Sequence, residues 1–358
     1  MPGLFSWITG FFSRASTATQ KPALGNGSLH KGDPGSKGGS SSKTKAETHN
    51  TLAEALHQHL FCWLLDTRPQ TLGAGLEDAE AMIEAMSKRL RAGKLSELPR
   101  QPMSLPMLMS ALSDDTTTRQ NLGNIILRDP ALTDQLLKVA NSPFFRPDTN
   151  TIETVDQAIL MLGMNGIRSV VSAALMRPMI SARNGEEATF SARTWRWGMA
   201  CARAAETIAR IQGKDASIYF MAGLLPALAY ITLYREVHRL IPAAADGKLP
   251  KPKPAALHQI LMHYQWPVAR LIASTWGLSD RYQGLLHPPG SPRSSDDLTL
   301  TDGIVIGTRE ALRHGRQRNL AEEDLPALVQ LNTSEIQRVQ AALKPMLEDT
   351  EKAHAERD

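Results

Sequence analysis

The ten histidines are the side chains with which this 358-residue chain could support metal-dependent hydrolysis. Such chemistry needs converging imidazole and carboxylate ligands, with one position left open for an activated water. His57 and His59 are two residues apart and therefore lie on different faces of a helix. His258 and His263 are five apart, which is also a poor helical spacing for shared ligation. Neither pair is therefore expected to share a metal ion, and we predict no metal centre and no cofactor.

Other catalytic patterns are also missing from the sequence. It contains no Walker-type phosphate loop, no Gly-x-Ser-x-Gly turn and no cysteine pair at zinc-binding spacing. Cys62 and Cys201 are far apart along the chain, so we expect buried, reduced thiols rather than a disulfide. His287 precedes two prolines, where a histidine that makes local hydrogen bonds in a turn is expected.

Helix signals are dense over most of the chain. Aromatic residues make up only 5% of it, and no alternating strand pattern of useful length occurs, so we predict an all-α protein. Asp129 before Pro130 marks a helix start. Thr154 should begin a further helix that Gly163 ends, and the helix after it should stop at Pro178.

Three stretches in the middle of the chain carry a family resemblance. They are LRDPALT at 127–133, LLKVANS at 136–142 and AILMLG at 158–163, with two phenylalanines at 144–145. In order and spacing these stretches resemble the HDOD family, and weaker similarity extends the resemblance over roughly residues 96–290. The resemblance implies an all-helical, two-lobed domain related to the HD phosphohydrolases. It also implies a role in bacterial signalling and regulation, generally without metal-dependent hydrolysis.

The resemblance further implies where the metal ligands of an HD hydrolase would stand. Pro226 and Ala227 occupy the positions of the His-Asp pair, and neither side chain can bind a metal. Gly198 stands at the position of an upstream histidine, and Gln265 at that of a later one. The resemblance therefore implies a lost metal shell, and we predict that the protein is not an enzyme. Either the unused site diverged, or the pocket became a packing surface or a metal-free ligand cleft.

Pro226 has a physical consequence of its own. It falls inside a helix predicted from about residue 216 to 233. A proline there removes one backbone hydrogen bond and clashes with the preceding turn, at a cost on the order of 3 kcal/mol unless the helix already bends. We therefore predict a kink or break at this position.

The first fifty residues differ in composition from the rest. Residues 14–50 are rich in Ser, Gly, Thr and Lys and are predicted to be a disordered linker. Residues 1–13 are predicted to be an amphipathic docking peptide, which could bind a groove on a protein partner or insert at a membrane interface. A terminus that folds back on the body remains an alternative. The interaction residues of this peptide are Leu4, Phe5, Trp7, Ile8, Phe11 and Phe12.

The net charge of +4 comes from the same fifty residues. They carry six Lys or Arg and two Asp or Glu, so the remaining 34 basic and 34 acidic residues balance. The globular body is therefore not expected to bind nucleic acid. No apolar run approaches the roughly 18 residues of a membrane span, and no secretory pattern opens the chain. We expect a cytoplasmic protein that is recruited to a membrane or to a partner complex.

These observations predict five segments, listed here in chain order. They are the docking peptide 1–13, the linker 14–50, N-terminal helices 51–95, an HDOD-like domain 96–295 and C-terminal helices with a frayed end, 296–358. Within the domain, the N-lobe is residues 96–185 and the HD-like lobe is residues 186–295. We predict a non-catalytic regulatory protein that acts through signalling protein partners. The alternative is a degenerate phosphohydrolase that binds or slowly hydrolyses a nucleotide.

Overall fold

The computed structural model describes residues 39–73, 76–113, 117–142, 144–145, 151–241, 252–287 and 295–355. The folded body comprises residues 46–358, and the regular structure of its described residues is helical throughout. The predicted docking peptide and residues 14–38 of the predicted linker lie outside the described residues. The helices are α1 (Gly39–Leu64), α2 (Pro69–Leu72), α3 (Leu76–Arg91), α4 (Leu105–Ser113), α5 (Arg119–Leu127), α6 (Pro130–Ala140), α7 (Val155–Ile180), α8 (Gly185–Ile211), α9 (Ala216–Leu240), α10 (Pro254–Thr275), α11 (Asp280–Leu285), α12 (Ser295–His314) and α13 (Thr333–Ala355), with a 3₁₀ helix at Glu322–Ala327.

The predicted helix signals act where the sequence places them. The amide of Leu132 donates to Oδ1 of Asp129 at 3.0 Å, which caps α6. Gly163 adopts φ 67° and ψ 177°, a left-handed conformation that suits glycine and divides α7 into two helical halves at a kink. The predicted stop at Pro178 is wrong by two residues, because α7 continues to Ile180. A proline in the last turn removes only one hydrogen bond, which the neighbouring packing can offset.

The first described helix starts earlier than expected. We predicted that helices begin at residue 51, but α1 begins at Gly39 and therefore overlaps the predicted linker over residues 39–50. Helix nucleation is costly while extension is cheap, so an amphipathic segment such as 52–64 can extend a helix into polar residues. Ser, Thr and Lys each cost only tenths of a kcal/mol relative to Ala.

Helix α8 lies between α9 and α12 at the centre of the body. A Cβ on Gly223 of α9 would lie 2.7 Å from the Cα of Ala202, so the two backbones are in direct contact. On another face of α8, a Cβ on Gly307 of α12 would lie 2.5 Å from the Cα of Cys201. The C-terminal helix α12, predicted to belong to a separate segment, therefore packs directly on the HD-like lobe.

The N-terminal helices also pack on the HD-like lobe. The hydroxyl of Tyr264 in α10 donates to the carbonyl of Ile83 in α3 at 3.0 Å. The ring of Phe61 in α1 lies 5.7 Å from that of Tyr230 in α9, measured between centroids. Helices α1 and α3 thus complete the core around α9 and α10.

Helix α9 is the one helix among the described residues that is both long and strongly apolar. By length and hydropathy it could cross a membrane, although its apolar residues do not form an uninterrupted run of about 18. However, 89% of the most apolar 18-residue stretch of α9 is buried inside the protein. Helix α9 therefore fits the role of a core helix.

Candidate functional site

The positions predicted from the resemblance to have lost metal ligands lie where α8, α9 and α10 meet. Gly198 of α8 faces Ala227 of α9, and both are buried. A Cβ on Gly198 would lie 2.6 Å from the Cβ of Ala227 and 3.7 Å from Cδ2 of Leu224. Non-bonded carbon atoms pack at about 3.5–4.0 Å. Even a methyl group therefore does not fit at position 198 unless one of the two helices shifts.

Gln265 joins the same region through a layer of aromatic side chains. The ring of Trp197 stacks on that of Tyr230, with centroids 4.9 Å apart and an interplanar angle of 11°. The hydroxyl of Tyr230 donates to Oε1 of the buried Gln265 at 2.9 Å. On the opposite side, Nε1 of Trp197 donates to Oγ1 of Thr308 in α12 at 2.8 Å.

This layer offers little reactive chemistry. Burial raises the pKa of the Tyr230 hydroxyl, so the phenol stays neutral and acts as a hydrogen-bond donor. Gln265 is an uncharged amide that accepts this bond. The structure thus brings Gly198, Ala227 and Gln265 into one neighbourhood, in which the polar groups satisfy each other.

Pro226 does not break its helix. Helix α9 is continuous from Ala216 to Leu240 with Pro226 buried inside it, so of the predicted kink or break the break is absent. The proline still leaves the carbonyl of Ala222 without its usual amide partner. Because α9 is buried along most of its length, its packing against neighbouring helices can offset the lost hydrogen bond.

A network of buried charges, which we did not predict, lies near the C-terminal end of α9. Arg235 of α9 donates through Nε to Oε1 of Glu187 at 2.9 Å, and both side chains are buried. The same guanidinium donates to the carbonyls of Met179 at 2.8 Å and Ser181 at 2.9 Å. Arg235 thereby ties α9 to the turn between α7 and α8.

The next residue of α9 ties the N-terminal helices to the same place. The carboxylate of Glu236 is fully buried and accepts a hydrogen bond from Arg89 of α3 at 3.0 Å. It also accepts one from the amide of Glu97 at 2.6 Å. The Glu97 carboxylate in turn pairs with Arg183 at 2.5 Å and Arg239 at 2.9 Å. The sequence signal was the charged pair 235–236 inside an otherwise apolar helix.

Histidines that are distant in the sequence come together between α1 and α10. The ring of His258 meets that of Phe61 edge-on at 4.6 Å between centroids. Burial, and then the charges of His57 and His263, lower the pKa of His258 to about 4. Burial also lowers the pKa of His57. Among the described residues, no three His, Cys, Asp or Glu side chains form a group that could hold a metal ion.

The remaining residues singled out from the sequence lie apart from this region or outside the described chain. The amide of His287 donates to the carbonyl of Leu285 at 3.1 Å, while Nδ1 of its side chain lies 3.4 Å from Nη1 of Arg270 in α10. Cys62 and Cys201 are free thiols, of which Cys201 is buried and Cys62 half-buried. Burial raises the pKa of both. The predicted interaction residues within 1–13 lie outside the described residues.

Comparison with protein families finds a match to the HDOD domain over residues 98–287. Comparison with curated proteins finds no match.

Several solved structures are similar in fold. One is a protein from Shewanella amazonensis whose name assigns it provisionally to metal-dependent phosphohydrolases, with 17% identity, a TM-score of 0.49, and coverage of 75% of this chain and 99% of that one. A second is an HDOD domain protein of unknown function from Geobacter sulfurreducens. It is 15% identical, with a TM-score of 0.48, and the match covers 79% of this chain and 96% of the Geobacter chain. A third, from Marinobacter aquaeolei, is named provisionally as a signal transduction protein. It is 16% identical, with a TM-score of 0.48, and the match covers 78% of this chain and 68% of the Marinobacter chain.

Proposed function

Because the chain belongs to the HDOD domain family, as the match over residues 98–287 shows, we propose that it is a non-catalytic regulatory protein. It acts in signal transduction through protein–protein interaction. The family assignment bears out the resemblance seen in the sequence and places the chain among relatives of the HD phosphohydrolases. The absence of catalysis and the mode of action are what we propose.

The proposal rests on the close contact between Gly198 and Ala227. A metal-dependent hydrolase of the HD type would need ligand side chains at these positions. At position 198 the space beyond the Cα is already occupied, since a Cβ would lie 2.6 Å from that of Ala227. A histidine there would force α8 and α9 apart along a contact that is buried.

Metal analysis of the full chain tests this part of the proposal. Protein purified from its native cells is assayed for iron, manganese and zinc, and then for hydrolysis of phosphomonoesters and nucleotides. We expect metal well below one ion per chain and no turnover above a buffer blank. One bound ion per chain, or turnover that a chelator abolishes, would show that the protein is a metal enzyme.

The distribution of exposed apolar side chains supports action through a protein partner. Among the described residues, five of the six large apolar side chains that stand out as exposed lie in the predicted N-lobe. They are Met103 (97%), Leu160 (71%), Leu127 (53%), Met161 (48%) and Met107 (44%). Exposed apolar side chains that form a contiguous patch mark an interaction surface, and methionine adapts to varied partners.

The predicted docking peptide 1–13 would add a second contact to this interaction. Proximity labelling in native cells, with the full chain and with a chain that lacks residues 1–13, reports its contribution. We expect the shortened chain to label fewer proteins of the same set. An unchanged set of proteins at unchanged yield would remove the peptide from the proposal.

The alternative, a degenerate phosphohydrolase that still binds a nucleotide, has one observation in its favour. An arginine-lined cavity lies on a different face of α8 from Gly198. A thermal-shift panel of nucleotides tests this alternative. A ligand at 100 times its dissociation constant should stabilise the protein by about 2.7 kcal/mol.

A further inference from the structure

A cavity of about 240 Å³ lies where α8, α13 and the pair Phe144-Phe145 meet. Its polar wall is formed by Arg203 and Arg210 of α8, and its opposite wall includes Ala342 of α13. At 100° per residue, these arginines lie roughly 120–140° around α8 from Gly198. The cavity is therefore separate from the closed metal position.

Two arginines share one carboxylate at this wall. Glu206 is fully buried and accepts hydrogen bonds from Nη1 of Arg203 and Nη2 of Arg210, each at 2.6 Å. Ser169 of α7 donates a third at 2.6 Å. Within the described residues, Glu206 is the carboxylate that pairs with either arginine. The described residues of this wall thus carry two positive charges against one negative charge.

Arg203 is held in place by further contacts. Its Nη2 donates to the carbonyl of Phe144 at 3.1 Å, and its guanidinium lies 5.2 Å from the ring centroid of Phe145. Its side chain is only 18% exposed. Arg203 therefore contributes a fixed positive charge that needs no rearrangement when a ligand arrives.

Arg210 has donors left for a ligand. Its side chain is 44% exposed, and its hydrogen-bond acceptor among the described residues is Glu206, reached through Nη2 alone. The Nε and Nη1 groups remain to donate to a ligand. A guanidinium presents its N–H groups as a planar fork that matches phosphate oxygens, and it keeps its charge at any physiological pH.

We propose that this cavity binds a small phosphate-bearing ligand, with Arg210 in contact with the phosphate and Arg203 as a fixed second charge. An anion would neutralise the excess positive charge of the wall. The volume is below the roughly 300–1,000 Å³ of pockets that enclose drug-sized ligands, which favours a compact ligand. The site needs neither a metal nor a protein partner, so it can fail or succeed independently of the proposed function.

The competing explanation is that the two arginines only stabilise the junction of the helices. The chain contains a matched control for it. Arg313 of α12 is 46% exposed and pairs at 2.7 Å with Glu310, which is also fully buried, but Arg313 does not line the cavity. Arg210→Gln and Arg313→Gln should therefore cost similar stability and differ only in ligand binding.

Calorimetric titration of the full chain with pyrophosphate and with AMP tests the site. We expect saturable binding of at least one probe, and an affinity at least about tenfold weaker in Arg210→Gln, equivalent to 1.4 kcal/mol. Arg313→Gln should bind like the unmodified chain. Ala342→Phe, which fills the cavity without changing its charge, should also lose binding.

Two outcomes would overturn the proposal. One is the absence of saturable binding of either probe to the unmodified chain. The other is an equal loss of affinity in Arg210→Gln and Arg313→Gln, because an effect of general destabilisation would not distinguish the two arginines. Circular dichroism and thermal melting of each variant show that the comparison is between folded proteins.

Discussion

Gly198 shows how one missing side chain can define a helix contact. In the sequence it stands as a lost ligand, and in the structure it is the point where α8 approaches Ala227 of α9. The two descriptions are compatible, because a position released from metal binding is free to become a close contact. Of the two readings left open by the sequence, the observed packing favours reuse of this position as a packing surface.

A first prediction at the residue scale concerns this contact. Gly198→Ala should destabilise the protein by about 1–2 kcal/mol, because overpacking costs about 1–3 kcal/mol and the gain in helix propensity offsets up to about 1. The measurement is the free energy of unfolding in urea. Gly185→Ala in the same helix is the control, since a Cβ there meets no atom within 4 Å.

The double variant makes this prediction sharper. Ala227→Gly should restore space in the Gly198→Ala background, so the two substitutions together should cost less than the sum of their separate effects. A Gly198→Ala variant as stable as Gly185→Ala, or strictly additive effects, would contradict the close contact.

A second prediction at the residue scale concerns pH. The pKa of His258 falls from the ordinary 6.5 to about 4 in the folded protein. Below pH 6.5 the unfolded chain therefore binds a proton that the folded chain does not. Stability should be complete above about pH 6.5 and should decrease as the pH falls towards 4. Urea unfolding across this range measures the effect.

The matched variants are His258→Leu and His263→Gln. The first should make the stability profile between pH 6.5 and 4 less steep, leaving the contributions of His57 and His59, whose pKa values burial also lowers. The second should lower the slope only slightly, because the charge of His263 is the smallest of the three causes that lower the pKa of His258. A slope that stays as steep in His258→Leu would assign the pH dependence to other groups.

At the scale of elements, helix identity follows from local signals while helix contacts do not. The caps at Asp129 and Thr154 act within one turn, and both form as predicted. The break expected at Pro226 is absent because long-range burial of α9 outweighs the local cost of the proline. The early start of α1 has a similar cause, since extension of an existing helix needs little local propensity.

Our prediction at the scale of elements concerns the ion pair between α9 and the start of α8. Arg235→Leu should destabilise the protein by about 3–5 kcal/mol, because it leaves the carboxylate of Glu187 buried without its charged partner. Unfolding in urea provides the measurement.

Arg239→Leu is the control, since its side chain is 54% exposed and its partner Glu97 keeps Arg183. It should cost less than about 1 kcal/mol. Equal costs for the two variants would mean that the buried pair contributes no more than an exposed one.

At the scale of the whole molecule, function depends on which surfaces remain available. The charges after residue 50 balance, so steering by net charge is not expected from the body. What distinguishes the surface is the concentration of exposed apolar side chains in the N-lobe. The proposed partner would cover these side chains.

Leu160→Glu tests this surface in the complete protein. A charge buried at this apolar contact should weaken partner binding by roughly tenfold. This corresponds to the loss of a side chain that contributes about 1.4 kcal/mol to the binding free energy. Proximity labelling in native cells measures the loss. Met262→Glu, at an apolar side chain that is 40% exposed outside the N-lobe, should leave labelling unchanged. Equal labelling by both variants would place the partner elsewhere.

The sequence by itself determined the all-helical fold and the family, because each is written in neighbouring residues or in a linear motif. Only the tertiary structure decided that Gly198 closes on Ala227, and that Arg203 and Arg210 share Glu206 beside a cavity. It also placed His57 near His258, about two hundred residues away along the chain. Such contacts depend on how whole helices pack, and packing sums many weak interactions between distant residues that no local pattern records.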